Sequence, residues 1–254
     1  MSTPGQQRSA PRIERAADPA ALARAAAEAV TTLAAESVAA RGAFSLALSG
    51  GSTPRALYQL LADPSGPYRD RIPWASVHAF FSDERAVPPD DPQSNYRMAR
   101  AALLDRVPVG SVHRMAGELG AAEAAARYQA ELRAHFGGVA FPAFDLILLG
   151  LGTDGHTASL FPGSPALLER SRWVVAAPGP PPSTERITLT VPVLEAARTV
   201  LFLVAGPDKS EPVHRLVHPG AGEEPIPAAR IRFGGAVRVL VDRAAAARLD
   251  PDVP

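Results

Sequence analysis

The amino-acid sequence predicts an α/β fold in which a mostly parallel sheet is flanked by helices on both faces. Short apolar runs alternate with helical segments along the chain, and this order is typical of such a sheet. Residues 144–149 (FDLILL) are almost entirely apolar, as expected of a strand that is buried on both faces. The 254 residues are enough for one domain with a sizeable core.

The first helix is predicted by the residues at its two ends. Asp18 is a suitable N-cap, Pro19 suits the first helical turn, and Gly42 stops the helix after about Arg41. Residues 44–48 then form a short buried strand. The chain therefore enters the sheet directly after this helix.

Further strands and helices follow in alternation. The predicted elements are a helix from Pro54 to near Asp63, a strand over 77–81, a polar loop over 82–93, a helix from about Ser94 to Arg106 that Asn95 could also cap, a helix over 121–136 that stops at Gly137, a strand over 144–149, a loop-rich stretch to about Thr184, strands over 187–190, 199–204 and 237–241, and a helix over 208–217. We predict a flexible N-terminal tail over residues 1–17, a single α/β domain over 18–247 and a C-terminal tail over 248–254.

Composition narrows the classes of function. Lys plus Arg and Asp plus Glu both number 26. The chain therefore has no net positive charge that would attract nucleic acid or an anionic membrane. The chain has no cysteine, and its six histidines lack metal-site spacing such as His-Glu-x-x-His, so we expect no structural zinc. No apolar stretch is long enough to suggest a signal peptide or a membrane span. We expect a cytoplasmic protein without nucleic-acid or membrane partners, metal or cofactor, as a monomer or weak homodimer.

Residues 49–54 (SGGSTP) form the first of three strand-end loops with candidate chemistry. Gly50 and Gly51 allow close backbone approach, Ser49, Ser52 and Thr53 carry hydroxyl groups, and the following helix offers free N–H groups. These features suit a phosphate group. The alternative is a glycine-rich turn in which Thr53 merely caps the helix.

The second loop begins with Asp83, Glu84 and Arg85, directly after an apolar strand. Arg85 is a candidate ligand for phosphate or carboxylate oxygens. The alternative is an Asp/Arg surface pair that shapes a long loop.

The third loop carries Asp154 and His156 between glycines. A neutral imidazole can accept a proton near pH 7, and a carboxylate can orient it. The loop also matches Gly-x-Gly-x-x-Gly, but Asp154 would face the pyrophosphate and no sustained helix follows, so we discount dinucleotide binding. A purely structural histidine is the alternative. Because the ends of parallel strands share one sheet edge, the three loops are predicted to form a single site.

Five stretches of the chain resemble those of 6-phosphogluconolactonases: LALSGGSTPRALYQLLA, FFSDERAVPPDDPQSNYRMAR, DLILLGLGTDGHTASLFPGSPAL, RITLTVPVLEAARTVLFLVAG and IPAARI. The resemblance spans about residues 20–242 and implies a Rossmann-like α/β sandwich. It also implies a phosphorylated sugar lactone as the small-molecule substrate, hydrolysed to 6-phosphogluconate. By the same resemblance Arg186 and Lys209 hold the substrate phosphate, with Asp83 also in the substrate site, although both cations could be ordinary surface residues and Glu211 places an acid near Lys209.

Glucosamine-6-phosphate deaminases share this fold and the Asp-Gly-His turn, and they supply the main competing function. They typically carry a glutamate five positions after the histidine, where this chain has Phe161. Phenylalanine cannot transfer protons, so the lactonase is favoured; a non-catalytic sugar-phosphate sensor is the other alternative. The resemblance implies His156 as the base, with Asp154 or Asp83 beside it and Arg85 on the phosphate or the reacting carbonyl.

Overall fold

The computed structural model describes residues 11–182, 184–218 and 224–250. Its larger sheet consists of seven parallel strands: β1 (Arg12–Ala16), β2 (Phe44–Leu48), β3 (Val77–Phe81), β5 (Ser111–Val112), β6 (Leu146–Leu149), β9 (Thr199–Val204) and β10 (Ala236–Asp242). They are arranged in the order β1-β10-β9-β6-β2-β3-β5. Every residue of β2, β6 and β9 is buried. Since successive side chains point to opposite faces, both faces of the sheet are covered, which confirms the predicted fold class.

A second sheet has three antiparallel strands: β4 (Asp83–Arg85), β7 (Val174–Pro178) and β8 (Glu185–Leu189), in the order β4-β8-β7. Two of these strands lie in stretches that the sequence predicts as loops, so the predicted loops over 82–93 and up to Thr184 are wrong in part. The three polar residues of β4 carry no strand signal of their own. They are extended because β8 pairs with them, and this pairing is set by the tertiary fold.

Seven α-helices occur in the described ranges: α1 (Pro19–Arg41), α2 (Ser52–Ala62), α3 (Asn95–Ala99), α4 (Ala121–Phe136), α5 (Val191–Ala196), α6 (Ser210–Val217) and α7 (Pro227–Arg230). The bounds of α1 confirm the prediction: the Asp18 carboxylate accepts from the N–H of Ala21 at 2.7 Å, and Gly42 has a φ of 77°. α2 starts two residues earlier than predicted. α3 is shorter and continues as a wider helical turn over Arg100–Leu104. None of these helices has the length and hydropathy needed to cross a lipid bilayer.

Both predicted tails need correction where the structure describes them. β1 pairs with β10, Ile13 is buried, and Glu14 forms an ion pair with Arg238 at 2.7 Å. The flexible tail over 1–17 is therefore wrong for residues 12–16, because one apolar side chain and backbone pairing suffice to fix an edge strand. At the other end Leu249 is buried, so the predicted C-terminal tail is packed on the domain at this residue. Residues 1–10 and 251–254 lie outside the described ranges, and the single domain over 18–247 stays a prediction.

The strand order places four loops side by side. From β2 the chain continues to β3 and β5 on one side of the sheet, whereas β6, β9 and β10 lie on the other side. The direction in which successive strands are added to the sheet therefore reverses between β2 and β6. Ligands of open α/β sheets bind at such a point, outside the carboxyl ends of the strands. The loops after β9, β6, β2 and β3 all end at this edge.

Candidate active site

A cavity of about 290 Å³ lies at the carboxyl edge of the large sheet. It brings together nine of the eleven predicted site residues, from all three predicted loops and from the stretch after β9. These nine are Ser49, Gly50, Gly51, Ser52, Thr53, Asp83, Arg85, His156 and Lys209. Asp154 lies behind His156, and Arg186 lines a neighbouring groove.

The turn over residues 49–53 presents hydrogen-bond donors to the cavity. Tyr58 fixes its backbone, because the tyrosine hydroxyl accepts from the N–H of Ser49 at 3.0 Å and donates to the Ser49 carbonyl at 2.9 Å. The Ser49 hydroxyl is buried and makes no hydrogen bond within the described part of the chain. A buried hydroxyl without a partner is unfavourable unless a ligand satisfies it. This atom is thus a candidate ligand contact.

The N-terminus of α2 supplies further donors to the same turn. Its N-cap is Gly51, whose φ of 106° suits glycine, and no side chain caps the helix. The alternative in which Thr53 caps this helix is therefore wrong. The first helical hydrogen bond runs from Arg55 to Gly51 at 3.1 Å, so the N–H groups of Ser52 and Thr53 are available to an anion, and the helix dipole favours one there.

Asn95 also lines the cavity, and sequence reasoning missed it as a site residue. The sequence predicts Asn95 as an alternative helix cap, but Ser94 is the cap and accepts from the N–H of Arg97 at 3.1 Å. A Cβ atom on Gly50 would lie 1.9 Å from the Asn95 side-chain oxygen. Gly50 is therefore required for Asn95 to pack over the turn. The resemblance to the stretch around Asn95 was the available signal.

His156 and Asp154 form a hydrogen-bonded pair. Nδ1 of His156 lies 2.5 Å from Oδ1 of Asp154, and the backbone N–H of His156 donates to the same oxygen at 3.1 Å. Burial raises the pKa of Asp154, but the two hydrogen bonds and the charge of His156 outweigh it and hold that pKa below its usual value. Asp154 therefore stays ionised at neutral pH. Of the two aspartates left open by the sequence, Asp154 is the one in contact with the imidazole.

Asp83 has a different set of partners. Its carboxylate accepts from the Ser159 hydroxyl at 2.7 Å, and its backbone carbonyl accepts from Asn95 at 3.0 Å. The Asp83 side chain thus links the loop after β3 to the loop after β6. It is largely buried and still reaches the cavity.

Arg85 is held at the cavity by polar groups of Gln93 and of Asn95 at the start of α3. Its Nη1 atom donates to the Gln93 carbonyl at 3.0 Å and also to the Asn95 side-chain oxygen. The contacts of Asp83 and Arg85 therefore differ from the Asp/Arg surface pair that the sequence left as an alternative. Glu84, between them, is buried and accepts from three backbone N–H groups, and burial raises its pKa. Glu84 orders the backbone that carries Arg85.

Arg186 lies beside Arg85 across the pairing of β4 and β8. It is 7% exposed, and its buried Nη1 atom has no hydrogen-bond partner in the described chain. Burial and the neighbouring charge of Arg85 lower the pKa of Arg186, despite opposing effects from two acidic groups. The groove that it lines also includes Gly51, Ser52 and Arg85. A buried cation of this kind suits an anion that bridges the groove and the cavity.

Lys209 follows β9, which lies on the opposite side of β2 from β3, and it lines the same cavity as the 49–53 turn. Its ammonium group lies 3.3 Å from the Asp208 carboxylate. Glu211, the acid that the sequence placed near the phosphate, forms an ion pair with Arg248 instead. Asp208 is therefore the acidic partner of Lys209, and Lys209 also lines the cavity.

Comparison with known proteins identifies the family of this chain. The family model described as glucosamine-6-phosphate isomerases/6-phosphogluconolactonase matches residues 17–240. A 6-phosphogluconolactonase of Synechocystis is 43% identical over 87% of this chain and 91% of its own length. The Mycobacterium tuberculosis 6-phosphogluconolactonase is 43% identical over 84% of this chain and 87% of its own length.

Solved structures give the same result. The 6-phosphogluconolactonase from Trypanosoma brucei superposes with a TM-score of 0.85 at 31% identity, over 96% of this chain and all (100%) of its own. A monomeric glucosamine-6-phosphate deaminase has a TM-score of 0.75 at 21% identity, over 93% of this chain and 99% of its own, which shows a shared fold alone. The fold and the cavity thus define an α/β protein with a polar cavity at its strand ends. The chain belongs to the glucosamine-6-phosphate isomerase/6-phosphogluconolactonase family.

Proposed function

We propose that this chain is a carboxylic ester hydrolase that converts 6-phospho-D-glucono-1,5-lactone to 6-phospho-D-gluconate, a step of the oxidative pentose phosphate pathway. One observation carries the proposal: His156, which is hydrogen-bonded to Asp154, and the donor-rich 49–53 turn line a single cavity. The relatives at 40–43% identity that carry the name 6-phosphogluconolactonase support the same reaction.

The contact with Asp154 sets the protonation of the His156 ring. A carboxylate only accepts hydrogen bonds, so Nδ1 of His156 carries the proton that it shares with Asp154. In the neutral imidazole Nε2 then holds the free lone pair. His156 lines the cavity, and Nε2 is the atom that takes a proton from a water molecule.

The reaction needs only this base, an activated water and stabilisation of one negative oxygen. His156 removes a proton from water, and the resulting oxygen attacks C1 of the lactone to form a tetrahedral oxyanion. When the oxyanion collapses, the bond between C1 and the ring oxygen breaks. The imidazolium returns its proton to that oxygen, which becomes the C5 hydroxyl group. Arg85 and backbone N–H groups are the candidate donors to the oxyanion.

Phosphate recognition is assigned to the groups around the 49–53 turn. Lys209 and Arg186 contribute charge, and Ser49, Ser52 and Thr53 contribute directional donors. A unit charge pair 4 Å apart is worth about 4 kcal/mol at an effective dielectric of 20. Cations at this cavity therefore favour a phosphorylated lactone strongly over an unphosphorylated one.

Phe161 separates this function from amine loss. Its ring centroid lies 4.3 Å from that of His156, at the position where the resemblance gives the deaminases a glutamate. A phenyl ring limits water around the imidazole and transfers no protons. Ammonia release from glucosamine 6-phosphate is therefore not expected. The cytoplasmic location, the monomeric or weakly dimeric state and the independence from cofactors remain predictions.

A coupled assay tests the proposal directly. A dehydrogenase generates the lactone from glucose 6-phosphate, and acid appearance is followed with and without this protein. Acceleration for the phosphorylated lactone and little for glucono-1,5-lactone is the expected result. Equal rates with and without the protein, or release of ammonia from glucosamine 6-phosphate, would contradict it.

A further inference from the structure

Three histidines that are far apart in the sequence meet at the edge of the large sheet, outside the active site. His78 is the second residue of β3, His113 follows β5, and His135 lies in the last turn of α4. Each offers a ring nitrogen, and the three nitrogens lie within 4.8 Å of one another. In the ranges that the structure describes, this is the one cluster of three or more such ligands.

A chain of hydrogen bonds fixes the protons of two of these rings. Nδ1 of His113 lies 2.7 Å from the Glu131 carboxylate, so a neutral His113 carries its proton there and Nε2 is an acceptor. The Ser111 hydroxyl lies 2.8 Å from that Nε2 and 2.7 Å from Nδ1 of His78. A hydroxyl has one proton, so it donates to His113 and accepts from His78. Nε2 of His78 is then left as a bare lone pair.

The third ring is exposed and contacts its neighbours only through its face and edge. His135 packs against His78 with ring centroids 4.8 Å apart and against His113 at 5.3 Å. A neutral imidazole is the form that binds metal ions.

We propose that His78, His113 and His135 form a site for a divalent transition-metal ion of the Zn²⁺ class. Neutral imidazole suits such ions, and three histidines with water in the fourth position are a known zinc arrangement. Zn–N bonds of about 2.0–2.1 Å place tetrahedral ligands roughly 3.4 Å apart, so ring nitrogens that lie within 4.8 Å of one another need to approach by up to about 1.4 Å. To bind the metal ion, Nε2 of His113 gives up its hydrogen bond with the Ser111 hydroxyl. Glu131 then acts as the carboxylate that orients a metal-bound histidine.

The site is separate from the catalytic cavity and has a different consequence. His78 lies near the amino end of β3, whereas the cavity lies beyond the carboxyl ends of the strands. A bound ion would link β3, the segment after the edge strand β5 and the end of α4. Since it binds the folded chain, it stabilises the fold without entering the lactone chemistry.

The test removes every competing histidine first. The chain has six histidines, so the variant His156→Gln/His214→Gln/His218→Gln keeps only the three proposed ligands. After treatment with a chelator, the full-length variant is titrated with ZnCl₂ by calorimetry, with MgCl₂ as the control ion. One Zn²⁺ per chain and no Mg²⁺ is the expected result. Thermal unfolding with and without Zn²⁺ gives a second readout, and the midpoint is expected to rise with the ion.

Two further substitutions in this background separate a built site from chance binding. His135→Gln affects an exposed side chain and is expected to lower Zn²⁺ affinity at least 100-fold without unfolding the protein. Glu131→Gln keeps all three ligands and is expected to lower it roughly 10–100-fold. The proposal is overturned if the background variant binds no Zn²⁺, or if His135→Gln binds it equally well.

Discussion

Gly152 lies so close to His156 that a Cβ atom at position 152 would fall 2.1 Å from Nδ1 of the imidazole. The same atom would lie 2.6 Å from the Asp154 carboxylate. Gly152→Ala is therefore expected to push the ring off its partner. Because a side chain rather than backbone is displaced, and the imidazole is 31% exposed, the fold should survive. General-base assistance is worth about 10²–10⁴-fold, so we expect kcat to fall roughly tenfold or more.

The control for this prediction is Gly138→Ala, where an added Cβ meets nothing within 4 Å. Both variants should unfold at nearly the wild-type temperature, and only Gly152→Ala should lose kcat. Wild-type kcat in Gly152→Ala would show that the observed ring position is not needed for turnover.

Ser45 in β2 and Ser49 in the turn after it are both buried, but their substitution by alanine is expected to have opposite effects on stability and on KM. The Ser49 hydroxyl has no hydrogen-bond partner in the described chain, whereas the Ser45 hydroxyl donates to the Asp145 carboxylate at 2.8 Å. Ser49→Ala should leave the free energy of unfolding within about 0.5 kcal/mol of wild type. It should raise KM for the phosphorylated lactone roughly tenfold, since a hydrogen bond to a charged group is worth about 1.5–3 kcal/mol.

Ser45→Ala supplies the matched comparison. It leaves Asp145 short of a buried partner and is expected to lower the free energy of unfolding by about 1–3 kcal/mol, with KM unchanged. Denaturant titration and steady-state kinetics on both variants decide the matter. A large loss of stability with an unaltered KM in Ser49→Ala would mean that its hydroxyl supports the fold and not the ligand.

Arg186 should matter more to anion binding than to stability. Its guanidinium is buried next to Arg85, and both conditions lower its pKa. Arg186→Met should therefore unfold no more easily than wild type in phosphate-free buffer. Inorganic phosphate should raise the unfolding temperature of wild type and should bind the variant roughly tenfold more weakly. Arg24→Met, an exposed position on α1, is the charge-matched control. Equal phosphate affinity in all three proteins would show that Arg186 does not bind the phosphate.

The Asp154–His156 pair predicts a pH dependence of stability. The pKa of Asp154 in the folded protein lies below its ordinary value of 3.8. A carboxylate with a depressed pKa contributes stability that is present above the ordinary value and is lost as the pH falls through the folded-state value. The difference in unfolding free energy between wild type and Asp154→Asn should thus be constant near neutral pH and shrink below about pH 4. A difference that grows on acidification would contradict this sign.

The elements that the sequence predicts correctly are those whose structure is decided by local chemistry. Asp18 and Gly42 fix the ends of α1, and apolar runs fix β2, β3 and β9. The three strand-end loops could be predicted to share one edge, because parallel strands end together. The nearness of Asp154 to His156 follows from two-residue spacing in a tight turn.

The remaining features depend on contacts between distant segments. β4 is polar and is extended only because β8 pairs with it. The role of Asn95 depends on the space that Gly50 leaves free, and the partner of Glu211 is Arg248 near the end of the chain. No spacing rule reveals either contact. The histidines at 78, 113 and 135 likewise meet only through the packing of α4 beside the sheet edge.

The central claim is that His156 acts as the base at a cavity whose anion-binding groups recognise the substrate independently. The most direct measurement is steady-state hydrolysis of 6-phosphogluconolactone by His156→Asn beside wild type, with phosphate affinity measured on the same samples. We predict that kcat falls about 10²–10⁴-fold while phosphate affinity is unchanged. A kcat close to wild type would show that His156 is not the base.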